Sequence, residues 1–287
     1  MRSFALLLLL AFSFNTQAQL RKKIKSLAAT VDGQVGVAIM DLSTKDTLLY
    51  NTNGIFAMQS VYKFPLALAV LTKVDQGKLK LNQKIKLTKA NLLPDTWSPL
   101  RDKYPNGGEV TLEEVLMYTV THSDNNGCDI LFNIMKGPKY VHKYVESLGV
   151  KEMAIEATEA EMHTAWDIQF SNWCKPRAML RLLELFYDKK LLSPASQELL
   201  WKMMEETSTG PNRIKGLLPE GTEVLHRTGL SDRNTDGKWG AVNDVGIVRR
   251  PDGKYFAIVV YVGRAKGELS ELEKAIAEIA LASYKSF

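Results

Sequence analysis

The chain carries strand-like segments at both ends and helical segments in its middle, and this order constrains the fold more than any other feature. Residues 35–42 alternate and are rich in small and β-branched side chains. A turn-like stretch separates them from residues 47–50, so we predict a β-hairpin. Near the other end, residues 239–249 and 255–263 flank Pro251-Asp252-Gly253, a strong turn signal.

Helical periodicity dominates residues 60–204. Leu, Val and Met recur there at three- and four-residue spacings, most clearly over residues 112–118, 128–135 and 178–186. Residues 20–31 and 269–284 predict terminal helices, and residues 223–228 are a further candidate strand. The simplest packing is an α/β (α+β) fold. One antiparallel sheet is built from both termini with the terminal helices on one face, and an all-helical lobe is inserted on the other side.

The first residues predict an export signal. Arg2 supplies a positive start, residues 4–12 form an apolar run, and Thr16-Gln17-Ala18 offers small residues at the usual cleavage positions. The apolar run is too short to span a bilayer, although a retained anchor is the alternative. We expect a signal peptide over residues 1–18 and a periplasmic protein without a stable membrane anchor.

The remaining length suits one domain with a sizeable core, over residues 19–287. We divide it into a sheet lobe, about residues 19–59 and 206–287, and a helical lobe, about residues 60–205. A cleft between lobes is a natural position for an active site. The net charge is +5, but the basic residues are scattered among acids, so no nucleic-acid partner is expected. We expect a monomer.

Two cysteines, Cys128 and Cys174, leave two alternatives open, which are one structural disulfide or two separate buried thiols. The four histidines are dispersed, and no Cys/His pattern has the spacing of a metal site. We therefore expect neither a metal nor another cofactor.

The tetrapeptide Ser60-Val61-Tyr62-Lys63 is the only Ser-x-x-Lys in the chain, and it opens an apolar, helix-like stretch. Serine is a poor nucleophile until a base takes its proton. A lysine three residues further on lies on the same helical face, where its amine can reach the serine oxygen. Alone the motif is weak, because a chain of this length holds about one such match by chance.

Three further elements follow in order, and each has an ordinary structural alternative. Ser123-Asp124-Asn125 precedes a helix and is also a normal N-cap. The acidic residues 156–161 also fit a solvated loop. Arg227-Thr228-Gly229 also fits a strand that ends in a turn, although a glycine there lets a ligand lie close against the strand.

The ordered set of S-x-x-K, S-D-N, a carboxylate loop and a basic residue before T-G resembles the class A serine β-lactamases, over nearly the whole mature chain. It most resembles the branch of the extended-spectrum cephalosporinases, which carries D-T-W-S-P, here residues 95–99, and a T-E-A-E-M-H type loop, here residues 158–163. The resemblance implies a secreted enzyme that hydrolyses the β-lactam amide, prefers cephalosporins and confers resistance to these antibiotics.

The resemblance also implies roles for individual residues. Ser60 is the acylated nucleophile, Lys63 helps to activate it, Ser123 relays a proton, and Glu159 deprotonates the water that removes the acyl group. The implied substrate-binding residues are Asn125, Arg227, Thr228, Gly229, Leu230 and Trp97, and the backbone N–H groups of Ser60 and Leu230 form the oxyanion hole. Asp124 braces its loop.

Four departures from the family pattern bear on these roles. His163 stands where the family has an Asn that holds the water, and Glu161 competes with Glu159 as the base. Arg227 replaces the usual lysine and is not a neutral exchange for it. Arg213 matches a second carboxylate-binding cation of some members, with a surface arginine as the alternative.

The fourth departure is an exchange of two residues. Many members pair an Asn after S-D-N with an Asp that closes the carboxylate loop, and here the matching positions are Asp129 and Asn172. One acceptor and one amide donor remain, so we expect this structural hydrogen bond to persist.

Two other functions share the serine, lysine and S-D-N elements. A D-Ala-D-Ala carboxypeptidase needs no Glu159 loop, and a β-lactam sensor is acylated without turnover but needs a membrane connection. Hydrolysis of a stable ester requires a positioned base, so Glu159 favours the hydrolase.

Overall fold

The computed structural model describes residues 17–286, so the predicted signal run over residues 4–12 lies outside the described residues. The strands in chain order are β1 (Gln34–Asp41), β2 (Thr47–Tyr50), β3 (Phe56–Ala57), β4 (Lys84–Leu87), β5 (Gly108–Thr111), β6 (Met153–Ala154), β7 (Trp173–Cys174), β8 (Val224–Leu230), β9 (Trp239–Arg249) and β10 (Tyr255–Ala265).

The α-helices lie mostly between β2 and β8. In chain order they are α1 (17–28), α2 (Lys63–Asp75), α3 (Pro99–Lys103), α4 (Leu112–Thr121), α5 (Asn125–Ile134), α6 (Pro138–Ser147), α7 (Glu159–Met162), α8 (Pro176–Tyr187), α9 (Pro194–Glu205) and α10 (Leu269–Ser286). Short 3₁₀ turns cover Gln59–Tyr62, Trp166–Ser171 and Ile214–Leu217.

The main sheet joins the two ends of the chain. Its five strands run in the order β2-β1-β10-β9-β8, and every neighbouring pair is antiparallel. The hairpin of β1 and β2 and the hairpin of β9 and β10 are both present, as the turn signals predict. The predicted fold class is therefore confirmed, with the sheet drawn from both termini and the helices from the middle.

The sheet is covered on both faces, which explains why β9 and β10 are buried along most of their length. On one face, apolar residues of α1 and α10 such as Ile24 and Ile276 pack against β1, β9 and β10. On the other face, α8 packs against β1 and β10 and joins the sheet to the helical part.

Helix α2 runs through the centre of the helical part, with contacts to α4, α5, α6 and α9. Its residues from Lys63 to Leu71 are all buried, as expected for a helix that is apolar all round. Over the described range, no helix combines the length and the apolar character needed to cross a bilayer.

Strand β8 lies directly against the start of α2. A side chain at Gly229 would collide with the backbone oxygen of Met58, so glycine is needed at this position for the chain to pack on itself. This reason differs from the sequence-based one, in which the glycine leaves room for a ligand. The contact brings the edge of the sheet to the residues around Ser60.

Candidate active site

Ser60 lies in the 3₁₀ turn Gln59–Tyr62, and Lys63 is the first residue of α2. In a 3₁₀ turn, residues three apart lie one above the other, so the S-x-x-K spacing directs both side chains to one side. Gln59, just before the serine, has a φ of +48°, a left-handed conformation that is uncommon outside glycine and is found at constrained sites. Ser60 is partly exposed.

The ammonium group of Lys63 is fully buried and reaches three oxygens. Its Nζ donates to the backbone oxygen of Ser123 at 2.9 Å and to Oδ1 of Asn125 at 2.5 Å, and it lies 2.8 Å from Oε1 of Glu159. The direct hydrogen bond to the Ser60 hydroxyl that the spacing predicts does not form within residues 17–286. Lys63 instead draws the other candidate residues together around the serine.

The segment Ser123-Asp124-Asn125 turns the chain from α4 into α5. Ser123 has a φ of +60°, and Asp124 is the N-cap of α5. The buried carboxylate of Asp124 accepts hydrogen bonds from the Ser98 hydroxyl, from the Leu100 N–H at 2.6 Å and from the Gly127 N–H at 2.7 Å. Burial raises the pKa of Asp124. Asp124 therefore caps α5, as the structural alternative predicts. The same turn also brings Asn125 into contact with Lys63.

Asn125 projects into the site from the first turn of α5. Its Nδ2 donates to Oγ1 of Thr96 at 2.8 Å, and its Oδ1 accepts from Lys63. These two bonds fix which end of the amide is the donor. Thr96 belongs to the D-T-W-S-P stretch, and its contact with Asn125 was not anticipated.

Glu159 is the first residue of the short helix α7, and its side chain is buried. The rival base, Glu161, has a different task. Its Oε2 accepts from the Thr158 N–H at 2.8 Å, while the Thr158 hydroxyl accepts from the Glu161 N–H, a capping box that holds the helix start at the surface. Glu159 alone of the two points towards Lys63.

Asp129 and Asn172 each hold the backbone of the Glu159 loop, and the expected hydrogen bond between them is absent from the described part of the chain. The two oxygens of Asp129 accept from the N–H groups of Glu159 at 2.8 Å and Ala160 at 2.9 Å. The expectation was wrong because each side chain finds backbone partners instead of the other. Burial raises the pKa of Asp129 to about 6.

Asn172 is fully buried and grips the loop on its other side. Its Oδ1 accepts from the N–H groups of Glu156 at 2.7 Å and Ala157 at 3.0 Å, and its Nδ2 donates to the Ala157 oxygen at 2.8 Å. The loop is therefore clamped on both sides of Glu159.

Oε1 of Glu159 has the Lys63 ion pair but no well-aligned hydrogen bond among the described residues. His163 lies one turn further on, and its Nδ1 is 2.8 Å from the backbone oxygen of Glu159. A carbonyl oxygen only accepts, so Nδ1 carries the proton in this contact, and in the neutral form of the ring Nε2 is then the acceptor. Oε1 of Glu159 is therefore shielded from solvent and in contact with the Lys63 ammonium.

Arg227 is fully buried beneath the serines. Its Nε donates to the Ser60 backbone oxygen at 3.1 Å, and its Nη2 donates to the Ser123 hydroxyl. Nη1 is buried and has no hydrogen-bond partner among residues 17–286. Burial lowers the pKa of Arg227 to about 10, so the guanidinium stays charged at neutral pH. The neighbouring Thr228 hydroxyl is 2.6 Å from the Thr209 hydroxyl.

Arg213 is buried, so the surface alternative is excluded. Its Nε donates to Oε1 of Glu273 at 3.1 Å, and its Nη1 donates to the backbone oxygens of Gly229 and Asn243. These bonds tie the end of β8 to α10 and place Arg213 directly behind the R-T-G segment.

A cavity of about 570 Å³ opens over Ser60. Of the predicted site residues, it is lined by Ser60, Trp97, Asn125, Glu159, His163 and Leu230. The predicted residues outside this lining lie beneath it or hold its walls. Trp97 is 60% exposed and donates from Nε1 to the His122 oxygen, which suits a residue at the mouth.

Several lining residues were missed from the sequence. They are Gln59, Asp95, Thr96, Met162, Ala165, Trp166, Gln169, Ser231 and Asp232. Gln59 and Gln169 share a hydrogen bond of 2.8 Å between their side-chain amides across the cavity floor. The adjacency of Gln59 to the serine was a usable signal, but nothing in the sequence marks Gln169 as its partner.

Comparison with known proteins decides the family. The model of a family described as the beta-lactamase enzyme family matches residues 19–287. The chain belongs to this family. Beta-lactamase VEB-1 of Pseudomonas aeruginosa is 45% identical over 90% of this chain and 87% of its own length, and the extended-spectrum beta-lactamase PER-1 of the same organism is 42% identical over 97% and 92%.

Solved structures give the same result. The crystal structure of a beta-lactamase from Chitinophaga pinensis superposes with a TM-score of 0.92 at 50% identity and covers 93% of this chain and 99% of that one. This β-lactamase is accordingly a class A serine enzyme that hydrolyses β-lactams, and its family is associated with resistance to them.

Proposed function

We propose that this β-lactamase acts through an acyl-enzyme on Ser60 that is hydrolysed by water activated by Glu159. One observation carries the proposal, which is that Ser60 and Glu159 line the same cavity while the Lys63 ammonium contacts the Glu159 carboxylate at 2.8 Å. A carboxylate at this position can accept a proton from a water in the cavity. A carboxypeptidase would not need it.

Acylation forms the bond between Ser60 Oγ and the lactam carbonyl carbon and breaks the carbon–nitrogen bond of the ring. The serine proton passes either to Lys63 as a neutral amine, once Lys63 has given a proton to Glu159, or to Glu159 through a water. Ser123 delivers a proton to the departing nitrogen, and the contact from Arg227 keeps its hydroxyl oriented. The backbone N–H groups of Ser60 and Leu230 hold the developing oxyanion.

Deacylation is the step assigned to Glu159. The carboxylate takes a proton from a water whose oxygen attacks the ester carbon, and the Ser60 oxygen then leaves and regains a proton. The carboxylate of Glu159 and, in the neutral ring, Nε2 of His163 are acceptors suited to that water. Asp129 and Asn172 keep the loop in place.

Substrate binding falls to residues around the cavity. Asn125 binds the side-chain amide, Thr228 and Gly229 bind the substrate carboxylate beside Leu230, and Trp97 flanks the mouth. We assign Arg227 and Arg213 the positive field that attracts this carboxylate, since Arg227 is buried within β8 and Arg213 is buried beside the end of that strand. Resemblance to extended-spectrum enzymes supports a preference for cephalosporins, and we expect export to the periplasm by residues 1–18.

The test is turnover of a chromogenic cephalosporin by the mature protein, with intact mass measured in parallel. We expect rapid turnover by the native enzyme, an accumulated acyl-enzyme with Glu159→Ala and no adduct with Ser60→Ala. Stoichiometric acylation of the native enzyme without turnover would identify a sensor. Rapid turnover by Glu159→Ala would refute the assigned base.

A further inference from the structure

A second cavity lies behind Glu159. It measures about 200 Å³ and sits between the segment 93–96, the start of α5 and helix α7. Asn126, Asp129 and Ala160 line it on the side away from Ser60. Each water takes about 30 Å³ of liquid volume, so the cavity has room for several. Its carboxylate and amide groups offer the polar partners that ordered water requires.

This cavity shares a wall with the one over Ser60. Five residues line both, and they are Asp95, Thr96, Asn125, Glu159 and His163. Glu159 therefore lies at the boundary between the two cavities. One contains the nucleophile, and the other does not.

Hydrogen bonds fix the backbone at the outer rim of the second cavity. Leu93 is 39% exposed, and its N–H and C=O both bond the side-chain amide of the buried Asn126, at 3.0 Å and 3.1 Å. Pro94 beside it is also exposed. Leu93 and Pro94, on one side of this cavity, are exposed to solvent, and Trp97 does not line it.

We propose that the second cavity is a solvent inlet that supplies the deacylating water to Glu159 from the side opposite the substrate. This inference rests on the proposed role of Glu159. Once Ser60 is acylated, the acyl group occupies the main cavity and obstructs its mouth. Each turnover nevertheless consumes one water, whose oxygen ends in the product carboxylate and whose proton passes to Glu159. A separate inlet lets bulky acyl groups be hydrolysed without first moving aside.

A reversible plug tests the inlet in one protein. Ala160→Cys places a thiol on the inlet wall, and methyl methanethiosulfonate transfers its CH₃S group to that thiol and releases methanesulfinate. The native thiols of Cys128 and Cys174 are buried and remain unmodified. We expect the plugged enzyme to keep its acylation rate while deacylation slows about tenfold. Dithiothreitol removes the plug and should restore the rate.

Ala165→Cys is the matched control, because Ala165 lines only the main cavity. Its modification should change substrate binding or acylation and leave deacylation within about twofold of the unmodified variant. Leu93→Trp fills the inlet from the opposite wall and should slow deacylation selectively.

Two results would overturn the inlet. They are an unchanged deacylation rate after complete modification of Ala160→Cys and an equal effect of the modification on acylation. Failure of the proposed function looks different. In that case Glu159→Ala accumulates no acyl-enzyme, whatever the plug does.

Discussion

Nζ of Lys63 lies 2.8 Å from Oε1 of Glu159, and both side chains are buried. A buried ion pair is strongly perturbed when one partner is removed, because the other is left as an unpaired charge. The two catalytic steps assigned to this site are therefore coupled through one contact.

Lys63→Met and Glu159→Gln should accordingly differ in which steps they impair. Glu159→Gln removes the deacylation base and leaves the Lys63 ammonium without its counter-ion, so deacylation should fall by about a hundredfold or more while acylation falls less. Lys63→Met also strips Glu159 of its counter-ion, so both steps should fall. Stopped-flow acylation and intact-mass decay measure the two steps, and identical profiles for the two variants would contradict this coupling.

Asp129→Ala should loosen the Glu159 loop. The substitution removes an acceptor shared by two backbone N–H groups, and bonds to a charged acceptor contribute about 1.5–3 kcal/mol each. We expect a lower melting temperature and slower deacylation. Asn172→Ala is the comparison, since it releases the other side of the loop and should act in the same direction. Unchanged turnover and thermal stability of Asp129→Ala would remove Asp129 from this role.

The raised pKa of Asp129 predicts a pH dependence with a definite sign. Between its ordinary pKa of 3.8 and about 6, the folded protein holds a proton that the unfolded chain releases. This group therefore makes the protein less stable as pH rises through that window, by up to about 1.4 kcal/mol per pH unit. Denaturant unfolding at pH 4 to 7 should show the slope, and Asp129→Asn should lack it.

The same ionisation should favour activity, because only the carboxylate form accepts from both loop N–H groups with both oxygens. Deacylation should thus fall as pH drops below about 6 in the native enzyme. A deacylation profile with the same acid limb in Asp129→Asn would assign that limb to another group.

The acylation rate should depend more on the positive charge of Arg227 than on the shape of its side chain. Arg227→Lys retains a cation near the Ser123 hydroxyl but cannot also donate to the Ser60 oxygen with the same fork, so we expect acylation to fall about tenfold or less. Arg227→Met should lower acylation by about a hundredfold or more. Equal acylation rates in the two variants would show that the charge is dispensable.

The two cysteines should be unreactive in the folded protein. Both thiols are free and buried, and burial raises the pKa of Cys174 to about 12. The folded protein should therefore not react with a thiol reagent, whereas the denatured protein should titrate two thiols per chain. Reductant should leave the melting temperature unchanged, and a shift on reduction would indicate a disulfide.

Much of this architecture was predictable because its signals are local. The turn signal Pro251-Asp252-Gly253 and the strand-like residues before it predict a strand over residues 239–249, and β9 has these bounds. Helix α5 was expected from residue 128 but begins at Asn125, since Asp124 caps it. The two-residue strands β3, β6 and β7 are too short to carry a period, so the sequence offered no sign of them.

The site was predictable as an ordered set of motifs but not as a set of contacts. The S-x-x-K spacing predicts a contact between Lys63 and the Ser60 hydroxyl. In the folded protein the Lys63 ammonium instead contacts Ser123, Asn125 and Glu159. Asp129 was matched with Asn172, yet both bond backbone groups whose positions depend on how the loop folds. The hydrogen-bond partner of each side chain is one of several chemically similar groups, and which one it is depends on the folded structure.

The pairing of β1 with β10 has a consequence for biogenesis. During synthesis, β1 has only β2 beside it until the last part of the chain emerges, and its other edge stays unpaired. Non-local pairing of this kind slows folding and leaves a nascent chain open to aggregation or to capture by chaperones. The sheet that supports the active site is thus among the last parts of the molecule to close.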